Sequence, residues 1–330
     1  MSIRAKLFAR TAVKSVRRSL RANTPVWIAY GLLVLLFIVT TIVSPAFAAI
    51  GPVGTLAAQA SFLGIVALGQ TFVIISGGVD LSVSAVISAA AVLSSSVSHG
   101  HNSSLVWVVP LCFAVGLVVG TVNGIGVAIG VSPIIMTLGT QGVVYGSLLL
   151  YTKGQAGYAP PQDLIWLGTH KWGPVPVVVV LWIVLGVVGG FALRRTIYGR
   201  HLYAIGTEPT VANFSGVNLP LVRVVSYVIS ALCAVVAGLA VGGYVAQTYL
   251  TIGDTFLFTS VAAVVVGGAS ILGGSGLYIG TVAGAAILTL LTNLLDILNL
   301  KAGALEMIYG GVILATVAVV TRRTASSVVR

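Results

Sequence analysis

Apolar runs of 15 to 25 residues, broken by short punctuation of proline, glycine and charge, recur along the whole chain. Their length predicts helices rather than strands. A helix needs about 20 residues to cross a hydrocarbon layer of about 30 Å. On that criterion the pattern predicts ten spans: residues 26–44, 53–76, 82–98, 105–129, 133–151, 174–193, 222–243, 257–271, 276–295 and 304–321. The stretch 53–98 is ambiguous, because Ser76-Gly77-Gly78-Val79-Asp80 interrupts a run too long for one span and short for two. Glycines recur every four residues at Gly116/Gly120/Gly124, Gly186/Gly190, Gly238/Gly242 and Gly280/Gly284. Such seams let helix backbones approach closely in lipid, and ordinary bundle packing accounts for them.

Composition agrees with the pattern. Only 7% of the residues are charged and 58% are apolar, against roughly 25% charged in a soluble domain. A soluble enzyme is excluded, and the glycines show no Gly-X-Y period. The fold class is therefore an all-α polytopic membrane protein. The net charge is +11, from 17 Lys/Arg against six acids. Nucleic acid is one explanation of such an excess, but the distribution supplies another. With Met1 in the cytoplasm and ten spans, fourteen of the seventeen cations fall on one side: the N-terminus, the loop near 194–223 and the tail. The positive-inside rule then gives an N-in, C-in topology, and no nucleic-acid partner is expected. Spans 2–5 and 7–10 would enter from opposite sides, as an inverted repeat requires.

The domain organisation follows. Residues 1–25 are a basic cytoplasmic segment suited to an anionic leaflet, residues 26–321 the transmembrane domain, and residues 322–330 a cytoplasmic tail. Ala46-Phe47-Ala48 looks like a signal-cleavage site, but the run before it is of span length and is expected to be retained.

Chemistry is sparse. No Lys follows a Gly, so there is no G-x-x-x-x-G-K-[ST] phosphate loop. Cys112 and Cys233 match no metal or redox spacing, and the four histidines lie in predicted loops. No bound metal, cofactor or catalytic residue is expected. Asp80 stands out, since an ionisable residue beside a span is a functional candidate. Asp80-Leu81-Ser82 equally suits a helix cap, and both readings stay open. The cytoplasmic stretch 194–221 is more informative. Thr207-Glu208-Pro209 is a helix-start signal and Gly216 a stop. The two-turn helix between them carries Val211, Ala212 and Phe214, as a helix built to dock into another protein would; an amphipathic loop helix is the plainer alternative.

Four blocks now resemble a known family: the permease subunits of bacterial ABC importers of the ribose/xylose/arabinose class, relatives of the branched-chain amino-acid permeases. The first is Ser76-Gly77-Gly78-Val79-Asp80-Leu81-Ser82-Val83. The second is Asn123-Gly124 with Pro133-Ile134-Ile135-Met136-Thr137-Leu138-Gly139-Thr140. The third runs from Tyr198-Gly199-Arg200 through Tyr203-Ala204-Ile205-Gly206 to Ser215-Gly216-Val217. The fourth is Val266-Gly267-Gly268-Ala269-Ser270 with Gly273-Gly274-Ser275-Gly276 and Gly280-Thr281.

The resemblance implies an ATPase-coupling loop at Gly199, Arg200, Tyr203, Ala204, Gly206, Glu208, Ala212, Phe214, Ser215 and Gly216. It implies pathway or gating residues among Asp80, Ser82, Asn123, Pro133, Thr137, Gly267, Gly268 and Ser270. It also implies a second permease subunit, a separate ABC ATPase carrying ATP and Mg²⁺, an extracytoplasmic solute-binding protein, and a place in the bacterial inner membrane. Gly206-Thr207-Glu208-Pro209, Asp254–Ser260 and the region 293–309 depart from the family pattern, which bears on the solute rather than the class. Two rivals remain. An ion-gradient-driven secondary transporter would present more buried ionisable groups than Asp80, and a membrane-embedded transferase would need a cluster of acids, histidines or metal ligands at one face.

Overall fold

A computed structural model describes residues 24–155 and 159–299, with residues 303, 307, 310 and 311 beyond them. The described chain is mostly helical, with one short hairpin and several irregular connecting segments. The long helices are α1 (Thr24–Val43), α2 (Ile50–Ile75), α4 (Leu105–Ala128), α5 (Pro133–Thr152), α7 (Val177–Arg195), α10 (Leu219–Val245) and α12 (Tyr278–Ile297). All seven are long and apolar enough to cross a membrane. Between them lie α3 (Val83–Ser96), α6 (Gln162–Thr169), α8 (Ile197–Thr207), α9 (Pro209–Phe214) and α11 (Phe256–Val266). Strands β1 (Lys171–Trp172) and β2 (Val175–Pro176) pair antiparallel, with Trp172 opposite Val175.

Two of the predicted spans are shorter than expected. Where 82–98 and 257–271 were read as spans, α3 has 14 residues and α11 has 11. At 1.5 Å per residue these reach only about 21 Å and about 16 Å. The remaining depth is taken by irregular segments, 76–82 ahead of α3 and 267–277 after α11. Non-helical backbone at membrane depth is tolerated only where protein surrounds it, and Asp80, Ser82, Gly267 and Ala269 are all buried. The tenth predicted span, the basic residues 1–23 and the tail 322–330 lie outside the described residues, apart from 307, 310 and 311.

The core is built around α2 and α10, which pack on each other. Small residues on α2 make this possible: a Cβ at Gly69 would fall on the Ser230 backbone of α10, and Gly64 fits under Trp182 of α7. Lipid gives helices little hydrophobic reason to associate, so such close packing carries the assembly. The partners are exchanged: α2 also packs on α11 and α12, and α10 on α3 and α4. The glycine seams serve these contacts. Gly116, Gly120 and Gly124 of α4 face Val235, Val228 and Val224 of α10; Gly238 of α10 faces Ile87 of α3, and Gly284 of α12 faces Ala263 of α11. By contrast α1 and α5 leave most of their apolar surface bare.

Candidate coupling junction

Helix α8 starts where Thr196 accepts a hydrogen bond from Gly199 N at 3.1 Å, satisfying one of the free N–H groups of the first turn. Its inner face carries Gly199, Leu202 and Ile205, all buried. A Cβ at Gly199 would fall on the Ala192 and Leu193 carbonyls that end α7, so the glycine is needed for the tight return of the chain. Helix α9 follows at once. Glu208 stands at its N-cap in an extended conformation and Pro209 occupies the first turn, where a missing N–H costs nothing. Its end is a Schellman motif: Val217 N donates to Ala212 O at 3.1 Å and Gly216 N to Asn213 O at 3.0 Å. Gly216 is left-handed at φ +80°, a conformation glycine adopts without penalty.

The helix start and stop therefore lie where the sequence places them, but its faces differ from expectation. Ala212 is buried at 4% exposure, whereas Val211 is 60% and Phe214 86% exposed. The apolar pair offered outward is Val211 and Phe214; Ala212 belongs to the chain's own core. Arg200, Glu208, Ser215 and Gly216 are exposed around them, with Ser215 Oγ donating back to Val211 O at 2.9 Å.

The inner end of this loop meets two other sequence blocks at one point. A Cβ on Gly206 would collide with Ile75 O, the last carbonyl of α2, and with Gly274 N. Gly274 N in turn donates to Ile75 O at 2.9 Å. Gly273 lies against Gly77 and against Gly206 O, and Gly274 against Thr207. Both turn glycines are left-handed, at φ +90° and +71°. Tyr203 OH donates to Gly276 O at 2.7 Å, while Ala204 beside it is half-buried. The end of α2, the end of α8 and the 267–277 turn thus touch backbone to backbone.

A second node sits one step further along the chain. Asp80 is fully buried. Its Oδ1 accepts from Ser82 N at 3.0 Å and Ser82 Oγ at 2.6 Å, and Asn123 Nδ2 donates to Ser82 Oγ at 2.8 Å. Gln70, its amide oriented by its neighbours, donates to Asp80 O and accepts from Asp80 N, both at 3.3 Å. Tyr227 OH donates to Val79 O at 3.4 Å. Asp80 thus serves as a local cap of the turn before α3 and also ties α2, α4 and α10 together. Among the described residues, Asp80 Oδ2 and Asn123 Oδ1 accept no hydrogen bond of good geometry, and Ser230 of α10 stands beside the Asp80 carboxylate.

The other pathway candidates do not join this node. Thr137 is buried, with its hydroxyl donating to Pro133 O at 2.8 Å inside α5. Pro133 opens α5 and, with Ser76, Gly77, Gly78 and Arg223, lines a cleft of about 250 Å³. Gly267 packs on Gly280, Gly268 on Pro25 of α1, and Ser270 N donates to Ser275 O at 2.9 Å within the turn. Gln70, Tyr227 and Ser230 were not singled out from the sequence. A lone amide in an apolar run and serines four apart, at 226 and 230, were the available signals. Among the described residues no group of three or more His, Cys, Asp or Glu is placed to hold a metal.

Comparison with known proteins gives this arrangement its context. The family described as the permease component of branched-chain amino acid transport systems matches residues 53–317. The ribose import permease protein RbsC of Escherichia coli K12 is 33% identical over 296 residues, covering 87% of this chain and 91% of the relative. RbsC of Haemophilus influenzae is 30% identical over 275 residues, covering 82% and 85%. The autoinducer 2 import system permease protein LsrC of Enterobacter sp. 638 is 30% identical over 286 residues, covering 84% and 81%. No solved structure matches the chain significantly. With a match across most of its length and seven helices able to span a bilayer, the chain belongs to this permease family and is a multi-pass transport subunit of the bacterial inner membrane.

Proposed function

We propose that the chain is one of two permease subunits in an ATP-driven importer for a monosaccharide or a related small polar solute. Ribose and autoinducer 2 are named for its relatives, and this reading extends that chemical class to the chain. A separate ATPase, holding ATP and Mg²⁺, docks at 194–221, and an extracytoplasmic solute-binding protein delivers the solute at the opposite face. Residues 26–321 form the permease domain, N-in and C-in, with ten spans.

The observation that carries the reading is α9: a short helix opened by Pro209 and closed by a Schellman motif, whose Val211 and Phe214 project outward beside Arg200. Six residues are too few for a helix to stand alone, and an outward Phe without a partner loses what burial would gain. An ATPase groove supplies that burial. A push on α9 passes through α8 to Gly206 and so to the end of α2 and the 267–277 turn. Because packed helix junctions hold discrete arrangements, the push selects between outward- and inward-facing packings. The exchanged packing of α2 with α11 and α12, and of α10 with α3 and α4, supports an inverted repeat of spans 2–5 and 7–10. In such repeats one half rocks against the other about a central site. The open acceptors at Asp80 Oδ2 and Asn123 Oδ1, with the Ser230 hydroxyl beside them, give the central node spare bonds with which to re-pair as the helices shift.

The test is Phe214→Arg. Ala212→Arg would bury its charge within the permease itself and confuse docking with folding. Phe214→Arg should insert and melt as the parent does, yet lose its ATPase on purification and stop ATP-driven uptake. If it transports with the ATPase still bound, docking lies elsewhere.

A further inference from the structure

Gly186 and Gly190 form an i, i+4 pair on α7, but they do different things. A Cβ at Gly186 would press on the Tyr278 ring at 2.8 Å, so this glycine packs against α12. A Cβ at Gly190 would meet nothing within 4 Å. The missing side chain there opens a groove of about 490 Å³ between α7 and the first turns of α12. Its floor makes no polar demand. Trp182 Nε1 donates to Tyr278 OH at 2.7 Å, and that hydroxyl donates to Gly64 O at 3.1 Å. The polar ends of both aromatic side chains are therefore spent within the bundle. At one end of the groove stand Arg194 and Arg195, both exposed. Among the described residues neither has a carboxylate partner.

An apolar slot along a membrane helix, closed by two exposed guanidinium groups where the helix ends, matches an amphiphile with a chain and an anionic head. Arginine favours phosphate because its fork donates two parallel hydrogen bonds. The cytoplasmic leaflet is where anionic lipid and basic side chains meet. We propose that this groove binds an anionic glycerophospholipid of the cytoplasmic leaflet, with one acyl chain over Gly190 and the phosphate between Arg194 and Arg195. The leaflet assignment rests on the N-in topology proposed above. Tyr203 lines the same groove and bonds to the glycine turn at Gly276. Bound lipid therefore braces α8 against the junction that α9 is proposed to push.

Native mass spectrometry of the full chain tests this, after equilibration with equal phosphatidylglycerol and phosphatidylcholine of the same acyl length. The parent should retain phosphatidylglycerol in about thirtyfold preference, the scale expected for two basic groups at an anionic head. Arg194→Gln with Arg195→Gln should abolish the preference while lipid of either kind still binds. Gly190→Leu fills open space, so it should fold and yet lose bound lipid of both kinds. Equal retention of the two lipids by the parent overturns the proposal, as does a preference unchanged in the double variant. A groove covered by residues 300–330 or by a second copy would retain no lipid in the parent, which overturns it too. The readout is lipid retention, so a failure of ATPase docking at Phe214 leaves the result unaffected.

Discussion

Two irregular segments meet at the same end of the bundle and are held in opposite ways. Residues 76–82 are fixed by side chains: Asp80, Ser82 and Asn123 form one hydrogen-bonded line, with Gln70 gripping the Asp80 backbone. Residues 267–277 are fixed mainly by the absence of side chains, with Gly267 on Gly280, Gly273 on Gly77 and Gly274 on Thr207. A polar line can exchange one partner for another at modest cost. A backbone-to-backbone junction has no slack, because a single methyl group has nowhere to go. A permease that must both transmit force and change its packing has reason to use each: the glycine junction as the stiff link, the polar node as the part that re-forms.

The comparison breaks most directly at Gly206. Its Cβ would fall on Ile75 O and Gly274 N, which are backbone atoms rather than movable side-chain ends. Gly206→Ala should therefore cost about 3 kcal/mol, the upper range for overpacking, seen as a clear loss of melting temperature in detergent together with uptake. Gly139→Ala on α5, where a Cβ meets nothing within 4 Å, should leave melting unchanged or raise it, since alanine favours helix. Equal melting of the two variants would show that the junction has slack after all.

The contrast also marks what could be read from the sequence. Helix positions were legible because apolar runs and their punctuation are local signals; Pro209 and Gly216 placed α9 for the same reason. The inward turn of Ala212 was not, since a six-residue helix has too little periodicity to fix a face. Nor were the short lengths of α3 and α11. Val79, Leu81 and Ala269 lie in irregular backbone yet are as apolar as any span, because protein rather than water surrounds them. The meeting of Ile75, Gly206 and Gly274 is a property of the tertiary fold, and no spacing in the chain announces it. The resemblance grouped Asp80, Ser82 and Asn123 with Gly267, Gly268 and Ser270; the fold separates them into node and turn.

At the polar node the expected effect is smaller and depends on the substitution. Asp80→Ala leaves Ser82 N and Ser82 Oγ without their acceptor in a buried site, at a cost of about 2 kcal/mol. Asp80→Asn keeps an oxygen for those donors and puts a donor in place of Oδ2, which accepts no hydrogen bond of good geometry. It should melt within about 1 kcal/mol of the parent, the scale of one net hydrogen bond. If Asn and Ala are equally destabilising, the negative charge itself is required and the node is more than a positioning device.

The smallest effect tests the link between the two segments and the cytoplasmic loop. Tyr203 is half-buried, and its hydroxyl donates to Gly276 O at 2.7 Å, joining α8 to the glycine turn. Tyr203→Phe keeps the ring and its packing but removes that one bond. Water can reach a half-buried carbonyl, so the loss of stability should be only about 0.5–1.5 kcal/mol, a slight fall in melting temperature. If the turn is the stiff link through which α9 acts, the functional consequence is out of proportion to this. With the ATPase bound as in the parent, ATP hydrolysis should continue while solute uptake per ATP falls. A variant that loses stability by this amount but transports the same solute per ATP would place the bond in the scaffold and leave force transmission to the Gly206 contact alone.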